Sequence, residues 1–490
     1  MSFVSGGFVI YCFDYLTEKP VYRCEREPGT GDFSICTSDE ICLAKNQQRE
    51  IRYYIDWTSH ESLDNWIETL ELMCNSNFQI QYISHSFYFG QIIGSVLISR
   101  IPDIYGRKWP FLISLILQFP VYIALIASRS LGLTIAMAFL IGLLNVGIYN
   151  GGYVNVCEYV TTPWKNHVCT LLLFFDNLTT ILICLYFKFV SRYWLWFQLI
   201  GVGLNAIAIV GIFVIPESPE YLYSFYRFNE CRDILAKIAK WNKRKQLPEK
   251  FEFDVEIDLK QIRFSRNIAE SPENYRMSLV KGKEHRTSIR IQRSLKAGVR
   301  EFYTSEEPLV RNLILSMLLW AIVIMNYQIN AYYNNFYPGD SYENLIFITL
   351  VELASYIVAD VAFEKTKHRP ALKLFVFGFS ISLLGSIGIL TNDVAQHPML
   401  DLAFNYTCKF GIAAAFQGCY LASGVLFPII FASTTFGACN LMGTISAFFS
   451  VDVYSLYSIS EWYSFAGLCM VGIIISFFLK ERPATKATME

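Results

Sequence analysis

The turn with the most charged side chains follows a long apolar stretch. The segment GSVLISRIPDIYGRK, residues 94–108, ends with Asp103, Gly106, Arg107 and Lys108. A glycine permits a tight turn that a Cβ would resist, and an aspartate can accept hydrogen bonds from backbone N–H groups at a helix start. An arginine can pair with a carboxylate on another helix. These residue types predict a charged cluster that connects helices at one end of a bundle. Simple positive-inside anchoring is the alternative.

The composition argues against a soluble enzyme or a nucleic-acid-binding protein. Of 490 residues, 53% are hydrophobic, 16% are aromatic and only 17% are charged, whereas soluble domains carry charge on about a quarter of their residues. The formal net charge of −1 provides no field that would attract nucleic acid. The sequence has no phosphate-binding glycine loop, zinc-spaced Cys/His set or nucleophile-elbow motif. We therefore expect no enzyme activity, no metal and no cofactor.

Eleven stretches are apolar over the roughly 20 residues that a helix needs to cross a bilayer. They cover residues 79–101, 109–128, 131–156, 168–190, 193–215, 309–333, 344–363, 371–391, 402–427, 429–450 and 460–479. Residues 3–13 are a twelfth candidate that is too short to span alone, so we expect a truncated first helix. Basic and acidic turns alternate along the chain, apart from a basic turn near Lys188 and Arg192, and both termini fall on the basic side. The sequence predicts an all-α, multi-pass protein in lipid, in either the plasma membrane or the mitochondrial inner membrane.

Polar segments divide the chain into two helical halves. The expected parts are an N-terminal bundle (1–222), a charged central loop with surface helices over 227–244 and 287–302 (223–308), a C-terminal bundle (309–479) and a basic-side tail (480–490). A large loop on the acidic side, residues 15–78, interrupts the first half. It contains Cys24, Cys36, Cys42 and Cys74, an even set that favours disulfides over free thiols without indicating their pairing. We expect the other cysteines to act as small hydrophobic side chains.

Six helices, a charged loop and six more helices resemble the major facilitator superfamily, whose two halves rock around a site near the membrane midplane. Residues 94–108 resemble its signature after the second span, G-x-x-x-D-R-x-G-R-R/K, with Ile104 in place of the usual Arg. The segments 62–95, 216–242 and 409–428 are similar to the organic cation/anion transporter family, the second of them to its P-E-S-P-R-W-L motif. The resemblance implies a transporter of small organic ions.

The resemblance also implies a set of charged gating residues at the basic end of the bundle. These are Asp103, Gly106, Arg107, Lys108, Glu158, Lys165, Glu217, Glu364 and Arg369. The chain departs from the family pattern elsewhere. Glu220 replaces an Arg, and Val425 and Ala432 replace an acid and a base after the tenth span. Thr444 stands where the eleventh span often carries a charge that matches the substrate.

Ionisable residues inside apolar spans are functional candidates because their burial is costly. Asp176 lies in the middle of a span and is the best cavity candidate. The alternative is a structural carboxyl that is neutral or paired with Asn177. Lys188 and Lys409 lie near span ends, so we expect their amines to extend to the membrane interface. Glu352 and Asp360 are additional charges within spans. The full set of cavity candidates is Asn145, Tyr149, Asn150, Tyr153, Asp176, Asn326, Tyr327, Gln417 and Thr444.

Two hypotheses of function remain at this point. In the first, the helix bundles rock and carry a small organic ion across the membrane. In the second, the chain is a transport-inactive subunit of a large membrane complex, for example a respiratory assembly, and protein neighbours fill the gap beside residues 1–14. The short first helix, the lost charge pair at Val425 and Ala432 and the uncharged eleventh span motivate the second hypothesis.

Overall fold

The computed structural model describes most of both helical halves and little of the central loop. It covers residues 2–25, 31–49, 51–59, 62–243, 251–254, 256–257, 309–333, 340–392, 397–453 and 460–481. Helices lie over all eleven stretches predicted to cross a membrane. Eight of the described helices are long and apolar enough to do so. The surface helix predicted over 287–302 and most of the tail lie outside the described residues.

The first helical segment is packed inside the first half. It consists of α1 (Ser2–Ile10) and α2 (Phe13–Thr17). The Ser5 hydroxyl donates to the carbonyl of Gly201 at 3.0 Å, and the Gln198 amide donates to the carbonyl of Phe8 at 3.0 Å. Gly201 and Gln198 belong to a later helix of the same half, so residues 2–17 occupy a place within the bundle.

The large loop on the acidic side forms a small domain with a sheet that the sequence did not predict. Strands β1 (Tyr22–Glu25), β2 (Phe33–Cys36) and β3 (Tyr53–Ile55) pair antiparallel in the order β2-β1-β3. Helix α3 (Ser38–Asn46) lies between β2 and β3 in the chain, and α4 (Trp66–Thr69) follows β3. The strands have three or four residues each, too few for alternation to be recognised. Disulfides join Cys24 to Cys36 across β1 and β2, and Cys42 to Cys74.

The remaining helices form two bundles. The first half contains α5 (Asn77–Leu97), α6 (Ile101–Tyr105), α7 (Lys108–Ala127), α8 (Leu131–Cys157), α9 (Thr162–Leu185, continued by a π-helix over Tyr186–Val190) and α10 (Trp194–Val214). Two short helices follow, α11 (Pro219–Ser224) and α12 (Phe228–Trp241). The second half contains α13 (Leu309–Tyr333), α14 (Ser341–Lys365), α15 (Pro370–Thr391), α16 (Pro398–Leu426), α17 (Ala432–Val453) and α18 (Ser460–Phe477). A third disulfide joins Cys157 to Cys169, between α8 and α9, so these two cysteines are not the free hydrophobic side chains we expected.

Helices α5 and α8 cross closely because each presents a glycine to the backbone of the other. A Cβ at Gly90 would lie 2.1 Å from the carbonyl oxygen of Phe139, and a Cβ at Gly142 would lie 2.0 Å from that of Phe87. Small residues at helix crossings are a usual means of tight packing in membranes. This crossing fixes α5, which packs on α17 of the second half, while α9 packs on α14.

Candidate functional site

The charged turn after α5 connects the two halves at the basic end. The Asp103 carboxylate accepts hydrogen bonds from the backbone N–H groups of Ser433 at 3.2 Å and Thr434 at 2.7 Å, in the first turn of α17. An acid from the first half therefore neutralises the positive end of a helix in the second half. Burial raises the pKa of the Asp103 carboxyl, whereas its ion pair with Arg107 opposes the rise.

Arg107 is the centre of this basic-end cluster, which we define as Asp103, Arg107, Glu158 and Glu217. The Arg107 side chain is fully buried; it pairs with Asp103 and, at 3.0 Å, with Glu158. It also donates to the carbonyl of Ile429 at 3.0 Å, a second connection to the other half. Burial raises the pKa of Glu158 to about 7 against the opposing effect of Arg107.

Glu217 fixes the turn that presents Arg107. Its carboxylate accepts from the backbone N–H groups of Arg107 at 2.8 Å and Lys108 at 3.1 Å, at the start of α7. Gly106 has φ 105°, and a Cβ there would lie 2.5 Å from the Glu217 carboxylate. The glycine is therefore required both by its backbone conformation and by the close approach of Glu217. The Lys108 amine points elsewhere and donates to the carbonyl of Phe213 at 3.2 Å.

The other predicted gating residues occupy separate positions at the basic end. Lys165 pairs with Glu220 at 3.2 Å, so the acid that replaces the family's Arg has a partner within the first half. Glu364 lies 3.1 Å from the His167 imidazole, which also contacts Asp360. His167 is on α9 and both acids are on α14, so this is another contact between the halves. Arg369 precedes α15 in a left-handed backbone conformation with φ 49°.

The midplane of the interface contains a network of tyrosines and acids. Asp176 on α9 is buried and accepts from the hydroxyls of Tyr149 at 2.8 Å and Tyr11 at 2.9 Å. The next residue, Asn177, donates to the Tyr356 hydroxyl of the second half at 2.8 Å. The structure therefore does not pair Asp176 with Asn177; instead the two neighbours face different helices.

The network continues in the second half around Glu352. Its carboxylate accepts from the hydroxyls of Tyr356 at 2.6 Å and Tyr327 at 2.9 Å, and the Lys409 amine lies 3.1 Å away. The Lys409 amine also lies 3.2 Å from the centre of the Tyr327 ring, which is an attractive cation–π arrangement. We call the joined set the central cluster: Tyr11, Tyr149, Asp176, Asn177, Tyr327, Glu352, Tyr356 and Lys409.

The prediction that Lys409 extends to the membrane interface is wrong. Its side chain is only 5% exposed and pairs inside the bundle. The helix α16 begins at Pro398, so Lys409 lies about 16 Å along it at 1.5 Å per residue. That depth leaves the lysine closer to an internal carboxylate than to water.

The remaining cavity candidates separate into two groups. Asn150 donates to the Ser99 hydroxyl at 3.2 Å beside α17, Tyr153 stacks on Phe436 of α17, and Gln417 bonds with Thr170, so these three lie at the interface of the halves. The other three candidates contact their own half among the described residues. Asn326 donates to Cys469 of α18, Thr444 donates to the carbonyl of Asn440 in its own helix, and Asn145 is buried beside Gly6.

A third set of contacts closes the acidic end. The Lys188 amine, at the end of α9, lies 2.8 Å from Asp340 and 2.5 Å from Glu343 at the start of α14. Close by, the rings of Tyr15 and Tyr342 stack at 5.7 Å. We call Lys188, Asp340 and Glu343 the acidic-end contact. Lys188 lies near a span end as expected, but it pairs across the interface instead of extending to water.

We expect Lys188→Ala to favour opening at the acidic end, because it removes a cation that two acids of the other half share. Cys184, four residues earlier on α9, is buried and not disulfide-bonded. Cys184 can therefore report opening. Its rate of alkylation by a membrane-impermeant maleimide should be about fivefold or more higher in Lys188→Ala than in the unchanged protein. The peptide containing Cys184 is followed by mass spectrometry. Lys188→Arg, which keeps the charge, is the control, and an unchanged rate in Lys188→Ala would contradict a role in closure.

The model of the Major Facilitator Superfamily matches residues 67–451. The chain belongs to this superfamily. Within it, the chain is similar to organic cation transporters. Solute carrier family 22 member 16 is 24% identical over 426 residues in Xenopus laevis and over 400 residues in Homo sapiens, covering 86% and 79% of this chain. Organic cation transporter 1 of Caenorhabditis elegans is 20% identical over 87% of the chain.

These relatives are longer than this chain, which spans 68%, 62% and 68% of their lengths. Among solved structures, the proton:xylose symporter XylE bound to 6-bromo-6-deoxy-D-glucose aligns with a TM-score of 0.62 at 12% identity, covering 98% of this chain and 95% of that one. The superfamily fold and the membrane location predicted from the sequence are therefore confirmed. Of the predicted organic cation/anion transporter-like family, the relatives support the organic cation transporters.

Sequence reasoning missed several residues of this superfamily member's interface. His167 was overlooked because an isolated histidine gives no spacing signal. Tyr11 was overlooked because its segment was too short to place in the bundle. Tyr356 carried no signal beyond its four-residue distance from Glu352, which places both side chains on one helix face.

Proposed function

We propose that this protein is a secondary transporter that carries a small organic cation across the membrane by rocking of its two bundles. The observation that carries this proposal is the charge at the midplane. Asp176 and Glu352 are both buried there, and within the described part of the chain the one buried lysine is Lys409, which pairs with Glu352. Among these three side chains, an ionised Asp176 therefore leaves one negative charge that a monovalent cation would balance.

The contacts between the halves support alternating access. The basic-end cluster and the acidic-end contact both connect the two bundles, on either side of the central cluster. A substrate that binds at the centre reaches water only when one of these sets separates. Several relatives are named organic cation transporters, and a positively charged substrate agrees with the negative charge of Asp176.

The alternative hypothesis of a transport-inactive subunit gains no support from the described residues. The gap was expected beside residues 1–14, and within that stretch α1 (Ser2–Ile10) packs on α8, α9 and α10 of its own half. In this proposal, Asp176 on a different helix supplies the charge that Thr444 does not provide in the eleventh span.

Uptake into liposomes tests the proposal. Purified protein is reconstituted, and uptake is measured for radiolabelled organic cations, anions and zwitterions of matched size, with protein-free liposomes as the control. We expect saturable uptake of cations, accelerated by unlabelled cation on the opposite side, and no saturable uptake of anions. Saturable anion uptake would contradict the charge argument, and no saturable uptake of any probe would contradict transport itself.

A further inference from the structure

His167 connects the two halves at the basic end through both nitrogens of its ring. The residue lies on α9, and its Nδ1 contacts the Asp360 carboxylate of α14. Its Nε2 lies 3.1 Å from the Glu364 carboxylate, one turn further along α14. A neutral imidazole has one N–H donor, so it can donate to only one of two ionised acids. Both contacts together therefore require one additional proton. We call His167, Asp360 and Glu364 the histidine contact.

The Asp360 carboxylate depends on this proton because it is buried. Its side chain is 9% exposed, and among the described residues its second oxygen, Oδ1, is buried without a hydrogen-bond partner. A buried carboxylate is costly unless a positive group faces it. Glu364 is more than half exposed, so water stabilises its charge. Loss of the proton therefore leaves Asp360 poorly compensated while the interface is closed, whereas water can reach it once the interface opens.

Other charged groups near this end of α9 already have partners. Within the part of the chain that the structure describes, the pairs are Lys165 with Glu220, and Glu158 with Arg107. Lys365, the last residue of α14, is exposed. From α16, the uncharged Gln417 bonds to Thr170, about one turn along α9 from His167. The charge that faces the imidazole across the interface is therefore that of the two acids on α14.

We propose that the histidine contact is a pH-sensitive contact that holds the basic end closed when it is protonated. The closed interface places the ring between two acids, and opening would separate α9 from α14. The closed form therefore binds the proton more tightly than the open form, and by linkage a proton favours closure. This stabilisation is complete below the ordinary histidine pKa of about 6.5 and is lost as pH rises above it.

The water at the basic end controls this proton. The His167 side chain is 29% exposed, so it can exchange a proton with that water without passage through the centre of the membrane. Acidic water on this side would hold the basic end closed, and a substrate at the central cluster could then leave only by the acidic end. The inference adds regulation by pH to the protein, and it does not depend on which substrate is carried.

The distance between the halves at the basic end tests the inference without a substrate. Tyr105 in the first half and Lys373 in the second half are exposed there. Both positions receive spin-labelled unnatural amino acids, because the chain contains native free cysteines, and pulsed electron paramagnetic resonance measures the distances between the labels. The ratio of the short to the long distance should rise about fivefold or more between about pH 8 and pH 5.5. A ratio that does not change with pH would overturn the inference.

Three variants assign the effect to this histidine. His167→Gln cannot be protonated and should lose the pH-dependent shift. His167→Lys carries a positive charge throughout the range and should remain closed even at about pH 8. His368→Gln is the matched control, because His368 is an exposed histidine at the same end of the bundle, in the turn before α15. This control should shift as the unchanged protein does.

Glu158 is the competing origin of a pH effect, because its pKa of about 7 lies in the same range. All three variants retain Glu158, so a shift that survives in His167→Gln would overturn the inference. Each variant is first checked for monodispersity and thermal unfolding in detergent. If His167→Gln does not fold, His167→Lys decides, since a distance distribution that still follows pH in that variant would also overturn the inference.

Discussion

Arg107→Ala is expected to lower the free energy of unfolding by about 3–5 kcal/mol, the cost of breaking a buried ion pair by removing one partner. The Arg107 side chain is fully buried between Asp103 and Glu158. Its removal leaves two buried acids without a cation, and it also deletes the hydrogen bond to Ile429 of the second half. Thermal unfolding of the detergent-solubilised protein, followed by intrinsic fluorescence, measures the loss.

The defect of Arg107→Ala should depend on pH. Burial already raises the pKa of Glu158 from 4.5 to about 7 while Arg107 opposes the rise, so removing Arg107 raises it further. An acid whose pKa is higher in the folded state destabilises the fold as it ionises, and stability is then lost as pH rises above the ordinary value of 4.5. The difference in melting temperature between Arg107→Ala and the unchanged protein should therefore be smaller near pH 5 than near pH 8.

Lys108→Ala is the matched control for this position. Lys108 is the next residue and carries the same charge. Among the residues that the structure describes, its amine donates to the carbonyl of Phe213 at the end of α10 and lies near the Trp109 ring. Its substitution should change stability by no more than about 0.5 kcal/mol. Equal losses in Lys108→Ala and Arg107→Ala would mean that general positive charge, and not the buried pairs of Arg107, stabilises the basic end.

The architecture could be predicted from the sequence because it depends on patterns that the bilayer imposes. Apolar stretches of sufficient length must be helices in lipid, and the alternation of basic and acidic turns indicates their number. The turn at residues 101–108 was also predictable, since Gly106 between Asp103 and Arg107 permits a tight turn that a Cβ would resist. The clustering of Asp103, Arg107, Glu158 and Glu217 follows from that turn and from the superfamily's helix order.

The central cluster could be predicted only in part. Asp176 and Glu352 were visible as acids within spans, but their partners come from helices far away in the sequence, such as Lys409 on α16. The predicted depth of a lysine in the membrane depends on where its helix begins. A shift of a few residues in the predicted helix start moves the lysine from the membrane interface to the interior. The sheet in the acidic-side loop was missed because strands of three or four residues leave no period to detect.

Lys409→Met is expected to cost about 3–5 kcal/mol of stability and to abolish cation uptake. Methionine fills a similar volume, so the change tests charge and not packing. Without the amine, Glu352 keeps the hydroxyls of Tyr327 and Tyr356 but loses its cation. The central cluster then holds two acids and no base. With both acids ionised it carries two negative charges, so its charge no longer matches a single monovalent cation. Melting curves and liposome uptake measure the two effects.

The double variant Glu352→Gln with Lys409→Met should recover most of the stability and retain cation uptake. A buried pair replaced as a unit leaves no uncompensated charge, and such replacements are often neutral. The double-mutant cycle of Glu352→Gln and Lys409→Met should therefore give a large, favourable coupling energy, as for residues in direct contact. The net charge of the central cluster is also unchanged, because Asp176 remains as its single unpaired acid. A double variant that folds but carries no cation would contradict this argument, since the pair would then take part in transport and not only in holding α14 against α16.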